Sequence, residues 1–191
     1  GLSIHAVIGD FERDLSMIPR PTGRRVVLFL GSTIGNLASK TRQHLLQDIR
    51  KLLGPGDRLL LGIDLVKEVS VLEAAYNDSQ GVTAEFNRKI LKVINRTLQA
   101  DFQLDNFRHH AFFNEANSRI EMHLISQRNQ TVRIQGLKLD VLFQAKESLW
   151  TERSYKFTKY QVETMLAQAA LLIEHSYTDN EAQIALALAS P

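Results

Sequence analysis

The chain is 191 residues long, 44% apolar and 23% charged, with a formal net charge of +2. That length can bury a sizeable core, and the charge excess is too small to imply attraction to nucleic acid or to a membrane surface. The absence of cysteine excludes disulfides, thiolate metal ligands and cysteine nucleophiles, and it leaves the redox compartment open.

The opening GLSIHAV lacks the basic stretch and long apolar run of a secretory signal. Without a leading Met, it hints at a fragment whose upstream part is absent. Residues 3–9 predict a short strand ending at Asp10, followed by a helical turn and a Pro/Gly loop over residues 10–23. Residues 25–30, RVVLFL, form the unbroken apolar run of a strand covered on both faces. That run enters Gly31-Ser32-Thr33-Ile34-Gly35-Asn36, which reads either as a plain turn or as a ligand pocket at a strand end. In a pocket, Gly31 and Gly35 would let backbone approach a ligand closely, and Thr33 and Asn36 would offer polar contacts. Residues 40–53 carry a helical stripe of Leu45, Leu46, Ile49, Leu52 and Leu53, stopped by Gly54-Pro55-Gly56. Residues 58–65, RLLLGIDL, predict another buried strand, ending near Asp64. The order strand, helix, strand, helix, strand predicts an α/β fold on a parallel sheet. Asp10 and Asp64 at strand ends suit helix capping as well as ligand contact.

The pattern then changes. Residues 68–76 predict a helix ending at Tyr76. Residues 82–99 predict a longer one with Val82, Phe86, Ile90, Val93, Ile94 and Leu98 on its apolar side. Short extended segments follow at 107–113, 119–126, 131–134 and 139–143, the signature of an antiparallel α+β insertion. His109 and His110 lie in one such strand, so their rings face opposite ways and cannot share a metal. Met122 reads as core. Glu152 and Ser154 in WTERSYKF point to one face if that segment is extended; such a pair reads a ring with two nitrogens or simply meets solvent. A last helix over 159–170 leads to closing strands at 171–177 and 182–189. No apolar run approaches the roughly 20 residues of a membrane helix, and no Walker, HExxH, GxSxG or GxGxxG pattern occurs.

Taken together, GDFERDL, FLGSTIGNL, GPGDRLLLGIDLVKEVSVLEAAYNDSQGVTAEFN, FRHHAFFNEANSRIEMHL and WTERSYKF resemble the histidine-specific S-adenosylmethionine-dependent methyltransferases of ergothioneine biosynthesis. The motifs fall in order over nearly the whole chain and cover the later part of that family's domain. The resemblance implies a Rossmann-like class I methyltransferase sheet, here partial with its first strands missing, and an inserted α+β substrate-binding domain. Its boundaries are expected at 1–68, 69–156 and 157–191. It implies that Asp10 and Phe11 lie beside the adenine of S-adenosylmethionine, and that Gly31, Thr33 and Asn36 meet the substrate's amino and carboxylate groups. Tyr76 would help hold the carboxylate, Met122 would line the pocket, and Glu152 and Ser154 would read the imidazole of L-histidine. Arg153 is expected to face away from Glu152 and to affect specificity little. The implied protein is a cytoplasmic enzyme that trimethylates the α-amino group of L-histidine, without a metal and without nucleic-acid or membrane partners. Lacking the cofactor's glycine loop, this chain alone is expected to bind the methyl donor poorly and to be inactive. A same-fold enzyme for another amino acid, such as an indole derivative, and a non-catalytic small-molecule-binding remnant stay open as alternatives.

Overall fold

The computed structural model describes residues 3–191. The chain divides into two compact units: an outer unit that runs to Val66 and resumes at Tyr155–Pro191, and an inserted unit, Lys67–Ser154.

The outer unit is built on a four-stranded sheet of β1 (Val26–Phe29), β2 (Arg58–Asp64), β8 (Leu172–Thr178) and β9 (Ile184–Ser190), in the order β1-β2-β9-β8. β1 and β2 are parallel, joined through α1 (Ser39–Leu52). β9 pairs antiparallel with both β2 and β8, so the expected parallel sheet is a mixed one. The physical reason is local: β8 and β9 are joined by a short turn, which can only make an antiparallel hairpin. The leucine stripe behaves as its spacing predicts. Leu45, Leu46 and Ile49 of α1 bury against Leu59, Leu61 and Ile63 of β2, together with Val162, Met165 and Leu166 of α4 (Lys159–Gln168). α4 starts at a capping box, in which the Thr158 hydroxyl accepts from Gln161 N and the Gln161 side chain accepts from Thr158 N.

Two expectations for this unit are corrected. Residues 3–9 form no strand: a strand needs a hydrogen-bonded neighbour, and among the described residues this segment pairs with none, leaving Ile4 and Ile8 exposed. Within this chain, β1 is covered on one face only. Val27 and Phe29 pack against the core, but both helices of the unit contribute to that same core, and Val26 and Leu28 stand exposed.

The inserted unit contains a three-stranded sheet, β3 (Phe107–Asn114), β4 (Arg119–Ser126) and β7 (Ser148–Tyr155), in that order, and a hairpin of β5 (Gln130–Ile134) and β6 (Leu139–Phe143). β3 and β4 are antiparallel with His110 opposite His123 and Ala111 opposite Met122. The alternation in RIEMHL sorts residues by face: Ile120, Met122 and Leu124 are buried in apolar clusters with α2 (Val69–Tyr76) and α3 (Val82–Leu98). α3 is rotated relative to its expected stripe. Leu91 is fully buried, with Ile94 and Leu98 beside it, whereas Val82, Phe86, Ile90 and Val93 are exposed. Asn87 explains the rotation. It is buried because its side-chain amide donates to His109 Nδ1 (2.9 Å) and to the His123 carbonyl (3.1 Å), which turns the Asn87–Leu91 side inward.

Candidate functional site

In the outer unit, the end of β1 is shaped by two consecutive left-handed residues, Gly31 (φ +73°) and Ser32 (φ +56°). They reverse the chain into the one-turn helix Thr33–Asn36. Thr33 Oγ1 donates back to the Leu30 carbonyl (3.2 Å), and Gly35 N donates to Ser32 O (2.9 Å), while Ile34 is buried as the anchor. Asn36 is left exposed at the end of this turn. Gly62 of β2 permits the geometry, because a Cβ there would meet Leu30 Cα at 3.2 Å. Asp10 and Phe11 come to the same strand end. The Phe11 ring meets Phe29 edge-on at 5.7 Å. Asp10 accepts from Glu12 N (2.9 Å) and its own amide donates to Asp14 Oδ2 (2.8 Å), a tight acidic turn. Thus the structure gathers Asp10, Phe11, Gly31, Thr33 and Asn36 around the carboxyl end of β1. That is where parallel strands present ligand-binding loops.

In the inserted unit, Tyr76 ends α2 and packs with Phe113 against the cluster of Leu72, Ala111, Ile120 and Met122. Its carbonyl accepts from His109 Nε2 (2.8 Å); because Asn87 donates to the other ring nitrogen, His109 carries its proton on Nε2. Met122 is buried, and its carbonyl accepts from Thr151 Oγ1 of β7 (2.9 Å). Glu152 and Ser154 lie in β7, so the segment is extended, and Ser154 is only 5% exposed. The Arg153 guanidinium lies 5.7 Å from the Trp150 ring. His109 and His110 take the separate environments their spacing requires, since the His110 ring stacks on Phe112 instead.

Sequence reasoning missed a second polar assembly in this unit. Glu121 is buried and accepts from Arg119 (2.6 Å) and Asn114 (2.9 Å), with His123 Nε2 at 3.2 Å. Burial acts to raise its pKa, but the hydrogen bonds from Arg119, His123 and Asn114 outweigh it and hold the carboxyl below its ordinary value. His123 Nδ1 meets Ser148 Oγ (2.7 Å), and its ring stacks between Phe112 and Trp150. The signal was present: Arg119, Glu121 and His123 alternate with the apolar residues of β4, so they share the opposite face.

The family model for the histidine-specific, S-adenosylmethionine-dependent methyltransferases matches residues 1–191. This chain belongs to that family. It is 49% identical over 189 residues to the histidine N-alpha-methyltransferase of Mycolicibacterium smegmatis, covering 99% of this chain and 59% of that protein. It is 48% identical over 190 residues to the enzyme of the same name from Mycobacterium tuberculosis, again covering 59% of it. The L-tryptophan methyltransferase of Psilocybe serbica is 29% identical over 164 residues, which cover 84% of this chain and 45% of that protein. The chain thus spans about three-fifths of the length of the two histidine enzymes it matches.

Proposed function

We propose that this chain supplies the substrate-reading part of an N-methyltransferase that carries the α-amino group of L-histidine through to the trimethylated betaine, with S-adenosylmethionine as methyl donor. The observation that carries this reading is the pair Glu152 and Ser154, two residues apart in an extended strand, in a chain nearly half identical to histidine N-alpha-methyltransferases. A carboxylate accepts a ring N–H, and a hydroxyl both donates and accepts, so together they match an imidazole's two nitrogens. The family resemblance assigns Asn36 and, separately, Tyr76 to the substrate carboxylate, Gly31 and Thr33 to its amino end, and Met122 to the pocket lining.

The acidic turn at Asp10 and the half-exposed ring of Phe11 suit the amino group and the flat ring of adenine. When bound, S-adenosylmethionine supplies an electrophilic methyl carbon on a sulfonium. The protein's own task is positioning: it holds the deprotonated amine in line with the carbon–sulfur bond, at the cost of no covalent enzyme intermediate.

A panel assay with radiolabelled donor over histidine, tryptophan and phenylalanine tests the reading in the intact enzyme. Preferred transfer to histidine is expected. Preferred transfer to tryptophan would replace histidine with an indole substrate, and transfer to none would leave a binding role.

A further inference from the structure

Asp64 was a candidate ligand group at a strand end; the structure gives it a different occupation. The chain leaves the outer unit after Val66 and re-enters it at Tyr155, and within the outer unit these two stretches are fastened together. Phe157 N donates to the Asp64 carbonyl (3.0 Å) and Val66 N to the Phe157 carbonyl (3.0 Å), forming a parallel bridge between Leu65 and Phe157. Between them, Lys156 is 1% exposed, and its Nζ lies 2.6 Å from Asp64 Oδ2. The Arg42 guanidinium of α1 lies 5.0 Å above the Tyr155 ring and 4.8 Å above that of Phe157.

We propose that Lys156, through Asp64, is a positioning residue for Glu152 and Ser154. A buried ammonium is tolerated only where its partner is fixed, and an apolar residue of similar volume would serve stability as well or better. What the ion pair adds is register. β7 ends at Tyr155, one residue before Lys156. A slip of one residue turns every side chain of a strand to its other face. In that slipped strand Lys156 would lose Asp64, so the pair excludes the arrangement in which Glu152 and Ser154 are presented wrongly. The middle of the strand is held separately, by Thr151 Oγ1 on the Met122 carbonyl and Ser148 Oγ at His123 Nδ1, so the pair acts at the strand's end, next to Glu152 and Ser154.

This inference rests on the imidazole reading of Glu152 and Ser154. Its test is steady-state kinetics of the intact enzyme with Lys156→Met, Asp64→Asn, the double variant and, in parallel, Glu152→Gln. The double variant removes both charges, so it is expected to retain the fold where a single variant, which leaves one buried charge unpaired, does not. The expected result is a histidine kcat/KM lowered by about 10- to 100-fold. Histidine preference over tryptophan should narrow with it, while KM for S-adenosylmethionine stays within twofold. A merely structural pair would shift the melting temperature and leave that preference intact. If the double variant keeps its preference while Glu152→Gln loses it, the positioning role is overturned and the imidazole reading survives. If Glu152→Gln is also silent, the imidazole reading falls and takes this inference with it.

Discussion

The two units place similar apolar strands in opposite circumstances. In the inserted unit, β4 alternates, and each class of residue finds a matching face: Ile120, Met122 and Leu124 meet helices, and Arg119, Glu121 and His123 meet one another and a stack of rings. In the outer unit, β1 reads VVLF, apolar throughout, yet only Val27 and Phe29 pack against a core. The difference teaches that alternation reports which face a strand buries. An unbroken apolar run says that both faces can be buried, and this chain by itself covers one of them. The same division separates the proposed roles. In the proposed function, the outer unit's turn is assigned the groups common to every amino acid, and the inserted unit's strand the side chain to be distinguished.

The sharpest test of that division pairs Glu152→Ala with Asn36→Ala in the intact enzyme. Glu152→Ala is expected to cost on the order of 10²- to 10⁴-fold in kcat/KM for histidine, with preference over phenylalanine-like side chains lost. Asn36→Ala is expected to cost about 10- to 100-fold, for histidine and for a poorer amino acid alike, because a hydrogen bond to the shared carboxylate carries no side-chain information. Near wild-type turnover of histidine by Glu152→Ala would break the division outright.

Within the inserted unit, the rotation of α3 is checked by urea unfolding. Leu91→Ala should lose about 2–5 kcal/mol as a fully buried side chain. Phe86→Ala, at 60% exposure, should stay within about 0.5 kcal/mol. Equal losses would restore the stripe expected from the sequence.

A smaller, pH-dependent effect sits at the start of the same helix. Backbone hydrogen bonds from Thr83 and Val82, aided by the Thr83 side chain, lower the Asp78 carboxyl to about 2 from an ordinary 3.8. A depressed carboxylate stabilises the fold above its unfolded pKa, and that contribution fades as pH falls from near 4 towards 2. The urea midpoint should therefore drop across this window more steeply for the parent chain than for Asp78→Ala, and parallel titrations would remove Asp78 as the cause.

The smallest effect tests the outer unit's bare face. Leu28 is 61% exposed, so Leu28→Ser should leave stability within about 0.5 kcal/mol. A loss like that of Leu91→Ala would mean that β1 is buried on both sides after all.

Much of this was legible from local pattern. The leucine stripe of α1, its Gly-Pro-Gly stop, the helix ending at Tyr76, the last helix (expected over 159–170, observed over Lys159–Gln168) and the alternating strands β3 and β4 all follow from periodicity and punctuation. The strand expected over residues 3–9 failed for a non-local reason, since β-structure exists only with a neighbour to bond. α3 was misjudged by its stripe because a single buried amide, Asn87, outweighed the apolar count. Of the candidate residues, Asp64 changed most in meaning: nothing beside it in sequence announces Lys156, 92 positions on.

By itself, then, the sequence determined most of the elements, and the alternation of β4 carried the signal of its polar face, since both depend on spacing within a few residues. Tertiary structure alone decided which apolar faces are covered and which carboxylates are occupied by ion pairs. These depend on partners far along the chain, and no local pattern encodes the distance between them.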